Sequence, residues 1–166
     1  MGKSETFVNT ARQVMMCRNK KKKVKRKGCF LALPATDWVD ENGNPHPRKM
    51  ILLRNVCYVD SKGRVWHIPM RKPDGKPQVV DGSSIPRLVW WIIGSPFVGL
   101  HRYASVVHDV GCEKQEQWAD WKTIHWLYWD AHIAVGAWKV TAFVRWLAVR
   151  LFGPRWKFDR GEHVVR

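Results

Sequence analysis

Val80-Asp81-Gly82-Ser83-Ser84-Ile85-Pro86-Arg87 is the stretch at which this chain changes character. Before it the sequence reads as short strands and loops, and after it as helices almost to the end. The octet is also a helix-start signature. Ser83 or Ser84 can accept a hydrogen bond from an unpaired first-turn N–H. Pro86 falls where its missing N–H costs nothing, and Asp81 lies near the positive end of the helix dipole. Strands first and helices second predict an α+β fold rather than an alternating α/β one. The expected form is a small N-terminal antiparallel sheet with hairpins, followed by a cluster of about four helices.

Upstream of the octet, Cys29 to Leu33 is a short strand candidate, and Met50 to Val59 reads as one strand. Asp60-Ser61-Lys62-Gly63 turns the chain and Arg64 to Met70 returns, a hairpin pattern. Asn42-Gly43-Asn44-Pro45 and Pro73-Asp74-Gly75-Lys76-Pro77 are further turns, and Gln78 to Val80 delivers Asp81. Downstream, helices are expected over about Ser84 to Ile93, Gly99 to Val110 with Gly111 as a C-cap, Gln117 to Val135 closed by Gly136, and Trp138 to Phe152 stopped by Gly153-Pro154. In the third, Trp118, Trp121, His125, Tyr128, Trp129 and His132 form a stripe at spacings of three and four. The fourth is apolar with Arg145 and Arg150 on it. It reads as a core helix whose arginines snorkel, with a membrane-surface helix as the alternative.

The 166 residues suit one domain, 29–156, between a basic arm, 1–28, and a polar tail, 157–166. The net charge of +15 is concentrated in that arm. Lys20, Lys21, Lys22, Lys23, Lys25, Arg26 and Lys27 follow Arg18 with no acid between them, a candidate site for nucleic acid or another anion. Eleven tryptophans point to grooves or interfaces. The four cysteines have no C-x-x-C spacing and read as free thiols in a reducing setting. No apolar run reaches the length of a spanning helix, and the N-terminus lacks a signal-peptide core.

The chemistry-bearing residues are Asp81, His108, Asp109 and His125. His108 and Asp109 are adjacent on a helix and so point about 100° apart. Cys112 lies one turn beyond His108 on the same face. Convergence of the four would make either a catalytic acid–base set or a divalent metal site for zinc, manganese or iron. A purely structural hydrogen-bond network is the competing reading. No P-loop, H-E-x-x-H, G-x-S-x-G or dinucleotide fingerprint is present.

Asp81-Gly-Ser-Ser-Ile-Pro-Arg, then Trp90, then Ala104-Ser-Val-Val-His-Asp resembles the domain-of-unknown-function family numbered 1353, over about residues 50–156. In that resemblance Asp81 matches the first acid, His108 and Asp109 the His-Asp pair, and His125 the third position. Ser83 stands in place of the usual alanine, and Val110-Gly111-Cys112 where a tyrosine commonly follows. The family is common in tailed phages. The resemblance therefore implies a phage origin and a shared site. The arm, the total charge and the missing catalytic signature then favour a phage-associated accessory or virion protein, in the particle or the host cytoplasm, that docks through its basic arm and Trp-rich surface on other phage structural proteins or nucleic acid. The alternative is a small metal- or His/Asp-dependent hydrolase acting on cell wall or another polymer. Whether the chain is an enzyme stays open at this point.

Overall fold

A computed structural model describes residues 27–81, 99–114 and 119–156. Six short strands come first: β1 Cys29–Phe30, β2 Thr36–Asp37, β3 Met50–Leu52, β4 Val56–Val59, β5 Val65–Ile68 and β6 Val79–Val80. Three helices follow, α1 His101–Glu113, α2 Trp121–Ala134 and α3 Lys139–Phe152. The fold is α+β. Four helices were expected, and the described residues hold three. The one expected over Ser84 to Ile93, with its serine caps, lies outside the described residues. So do the arm up to Arg26, Trp118 and the tail 157–166.

The strands form two three-stranded antiparallel sheets, ordered β1-β4-β5 and β2-β3-β6. Met50 to Val59 is thus not one strand. The chain leaves the second sheet after Leu52 and enters the first at Val56. The polar pair Arg54-Asn55 makes the crossing. The Arg54 guanidinium donates to the Leu33 carbonyl, and Asn55 Oδ1 accepts from the Met70 N–H at 2.9 Å. Strand β5 alternates, with Trp66 and Ile68 buried and Val65 and His67 exposed, as a half-buried strand must. The β4–β5 turn is held by Asp60, whose carboxylate accepts from the Lys62 and Arg64 N–H groups, the Arg64 guanidinium and the Trp66 indole.

Helix α2 starts at Asp120, whose carboxylate accepts from the Thr123 N–H at 2.7 Å. It ends with Gly136 at φ +86°, bonded back to the Ile133 carbonyl while Ala137 bonds to that of His132. This is the paired closure that a left-handed residue after a helix permits. Gly111 is not a cap. Helix α1 runs on to Glu113 with Gly111 buried inside it. A Cβ there would lie 2.8 Å from Ile124 Cγ2, so the missing side chain is what lets α2 lie close.

Helix α2 packs between α1 and α3, while β6 meets α1 and β1 meets α2. One core joins the layers: Met50, Tyr58 and Ile68 from the sheets meet Val106, Val107, Val110, Leu127 and Ala131 from the helices. Arg145 does not snorkel. It is 2 % exposed; its small neighbours Ala142 and Ala148 leave room for it to lie inward beside Tyr128. Cys29, Cys57 and Cys112 are free thiols. Among the described residues no helix is long and apolar enough to cross a membrane.

Candidate metal centre

Helix α1 presents His108 and Cys112 one turn apart on a single face, the spacing at which side chains meet. Helix α2, held close by Gly111, brings His125 against them. One ligand atom from each of His108, Cys112 and His125 lies within 4.8 Å of the others. Cys112 Sγ is 3.6 Å from His108 Nε2, and the His108 and His125 rings are 5.3 Å apart. For a tetrahedral zinc with S and N ligands at about 2.3 and 2.05 Å, sulfur and nitrogen would stand about 3.6 Å apart. The α1 pair already has that separation.

Asp109 reaches its neighbour from the side. Its Oδ1 is 3.4 Å from His108 Nδ1, so the two adjacent residues cooperate although their side chains leave the helix in different directions. A proton held on Nδ1 toward Asp109 leaves the Nε2 lone pair facing Cys112. Burial disfavours the charged His108 ring, but the Cys112 sulfur and the Asp109 carboxylate outweigh it and push its pKa up to about 9.

His125 is fully buried, and neither ring nitrogen has a hydrogen-bond partner. The Pro154 carbonyl lies near enough to favour a protonated ring, but not in hydrogen-bonding geometry. Burial foremost, then the charges of His108, Arg150 and Arg155, press its pKa down to about 3. It is therefore a neutral imidazole at physiological pH, the form that binds metals. Trp121 and Trp156 stand edge-on to its ring at 5.4 and 6.5 Å. The Trp156 indole is fixed on the Ala119 carbonyl. Arg150, Arg155 and Lys122 gather around the Trp121 ring at 4.4, 5.3 and 5.8 Å, giving this side of the cluster a cationic rim.

Of the residues singled out by sequence, His108, Asp109 and His125 come together. Asp81 is exposed just past β6, outside the three-residue group. Of the basic run, only Lys27 is among the described residues, and it is exposed. Cys112, on the same face of α1 as His108, completes the group in place of Asp81. Its signal was the i, i+4 relation to His108. A second histidine pair, His132 buried and His101 partly exposed, lies along the same helices. His132 Nδ1 is 2.8 Å from the Tyr128 carbonyl, and His101 stacks 5.2 Å from His132. The Tyr128 ring, 4.9 Å from that of His108, joins the two sets.

A family model described as "Protein of unknown function (DUF1353)" matches residues 50–149, a span that includes every residue of the cluster. Two proteins of Sinorhizobium fredii (strain NBRC 101917 / NGR234) are similar to this chain. "Uncharacterized protein y4jT" is 32% identical over 133 residues, covering 80% of this chain and 36% of its own length. "Uncharacterized protein y4iH" is 35% identical over 108 residues, covering 65% of this chain and 42% of its own length. The chain thus spans well under half the length of these curated relatives. No solved structure matches.

Proposed function

From the premise that this chain belongs to the DUF1353 family, which carries no assigned activity, we propose a function on its own geometry: a small metal-dependent hydrolase. The ion is of the zinc class, held by His108 Nε2, Cys112 Sγ and a ring nitrogen of His125. The observation that carries this is His125. A buried imidazole with two unbonded nitrogens is costly, and a metal beside the sulfur and His108 relieves that cost. A cysteine nucleophile activated by His108 and Asp109 would use the same 3.6 Å contact, yet leaves His125 without a purpose. A thiolate in the set favours zinc or iron over manganese.

Three protein ligands leave a fourth tetrahedral position, the arrangement of hydrolytic rather than closed structural sites. A bound ion of this class supplies a water acidic enough to attack near neutral pH. Asp109 fixes the His108 ring and its tautomer. Cys112 alone of the three is partly exposed, so approach is from its side. The cationic rim around Trp121 favours a substrate bearing negative charge, which suits an anionic cell-wall or other polymer. The docking reading, by contrast, rests on the arm, of which only Lys27 and Gly28 are among the described residues.

The test is metal analysis of protein purified without chelator, followed by zinc titration. About one equivalent is expected, lost in His108→Ala, Cys112→Ser and His125→Ala. Asp109→Asn should bind roughly 10- to 100-fold more weakly while keeping the stoichiometry. Because the ligands must shed protons, affinity should rise with pH up to the His108 value near 9. Metal-free protein whose melting temperature ignores both zinc and chelator would sink the reading.

A further inference from the structure

Helix α3 is apolar on both sides. Ala142, Arg145, Ala148 and Val149 are buried against the rest of the fold. On the opposite side Val140, Phe143, Leu147 and Leu151 recur at spacings of three and four, and all are exposed. The stripe is extended by Trp138 at the helix start, 72 % exposed, and by exposed Phe152 at its end. Trp146 stacks on Phe143 at 5.5 Å. A contiguous exposed face of this kind marks an interaction site.

Charge decides what that is. From Trp138 to Trp156 there is no aspartate or glutamate, while Lys139, Arg145, Arg150 and Arg155 are present. Lys139 and Arg150, about three turns apart, fall along one flank of the stripe. Arg155 is exposed just beyond the helix. A second copy of the chain would bring two such cationic faces together in a molecule already at +15, which disfavours self-pairing. A single helix bearing Trp, Phe and Leu outward with cations beside them is the form that lies in the headgroup layer of an anionic bilayer. Trp138, exposed at the helix start, matches the preference of indoles for that layer.

We infer that the outward face of α3 docks the protein on the surface of a membrane rich in anionic phospholipid, with Phe143, Leu147 and Leu151 entering the acyl boundary and Lys139 and Arg150 meeting headgroups. None of the three proposed ligands lies on α3; Arg150 is shared with the cationic rim around Trp121, so the apolar residues of the stripe carry the test.

The experiment is co-sedimentation of the full chain with two kinds of vesicle, phosphatidylcholine alone and phosphatidylcholine mixed with phosphatidylglycerol, at physiological salt. Binding to the mixed vesicles is expected, and much weaker binding to phosphatidylcholine alone. The basic arm also attracts anionic lipid, so the deciding variant is Phe143→Ser with Leu147→Ser, which keeps every charge. It should lower vesicle affinity at least about tenfold with an unchanged melting temperature. Should that variant melt early, Val140→Ser with Leu151→Ser serves instead. Equal affinity of wild type and variant would assign the binding to the arm and overturn the proposal. Equal binding to both vesicle types would overturn its anionic part. No vesicle binding, or a wild-type dimer that the variant abolishes, would give the face to a protein partner or a second copy and overturn it entirely.

Discussion

His132 can be tested apart from any ion. It is fully buried, with one nitrogen on the Tyr128 carbonyl at 2.8 Å and the other unbonded. Burial foremost, then the charges of His101, Arg145 and His108, press its pKa to about 3, against the carbonyl's opposite pull. The unfolded chain, with His near 6.5, therefore binds more protons than the folded one between pH 6.5 and 3. Stability is full above 6.5 and falls as the solution is acidified through that window. Urea unfolding at pH 7 and pH 5 should show a loss of roughly 2 kcal/mol from this residue. His132→Gln should flatten that part of the slope; a slope unchanged in the variant would mean that His132 is not held neutral. His125 titrates in the same sense, so the flattening is partial. At this scale much of the site was legible. One-turn spacing places Cys112 on the face of His108, and adjacency marks Asp109. Cys112 became a ligand candidate only when α2 supplied His125, because a sulfur one turn from one histidine is an incomplete set until another helix completes it.

Between elements, the α1–α2 separation is set at Gly111. Gly111→Ala puts a Cβ 2.8 Å from Ile124 Cγ2, a methyl on a branched carbon that cannot swing away alone. Alanine gains about 1 kcal/mol of helix propensity, but overpacking costs about 1–3 kcal/mol. The variant should therefore melt lower, and zinc titration should show weaker binding, since the same shift parts His125 from Cys112. A variant as stable as wild type with unchanged affinity would show that Ile124 accommodates the methyl freely. In sequence Gly111 reads as a helix stop, because composition cannot distinguish a glycine needed for a left-handed turn from one needed for close approach. The same limit joined β3 to β4. Their residues are continuously apolar on either side of Leu53-Arg54-Asn55, and only the partners of Arg54 and Asn55 reveal two sheets.

Over the whole molecule, the sheets and helices are fastened by a buried pair. Asp130 of α2 accepts from the Tyr58 hydroxyl of β4 at 2.6 Å and from the Ser61 N–H at 3.0 Å. Burial, then the nearby Asp130 charge, raises the Tyr58 pKa, so the phenol stays a donor. Asp130→Ala strands both donors and should cost about 3 kcal/mol or more. Tyr58→Phe, which leaves the carboxylate its Ser61 bond, should cost less. Denaturant melts of the two variants test this ordering, and equal costs would refute it. Strands-then-helices predicted the α+β class correctly, but not this joint, because nothing in sequence pairs a tyrosine with an aspartate so far along the chain.

The three short turns have a kinetic consequence. Asp40–Asn44, Asp60–Arg64 and Lys72–Lys76 each close with the same pair of backbone hydrogen bonds. Of the three, the Asp60–Arg64 turn joins the paired strands β4 and β5, which can form locally on the microsecond scale. The Tyr58–Asp130 contact spans 72 residues, and it must wait for the helices to be made. The slow search in assembling this protein thus falls on such long-range contacts, where loop-closure entropy is greatest. Substitutions at that joint should slow folding, while those in the turns should chiefly alter how fast the hairpins open.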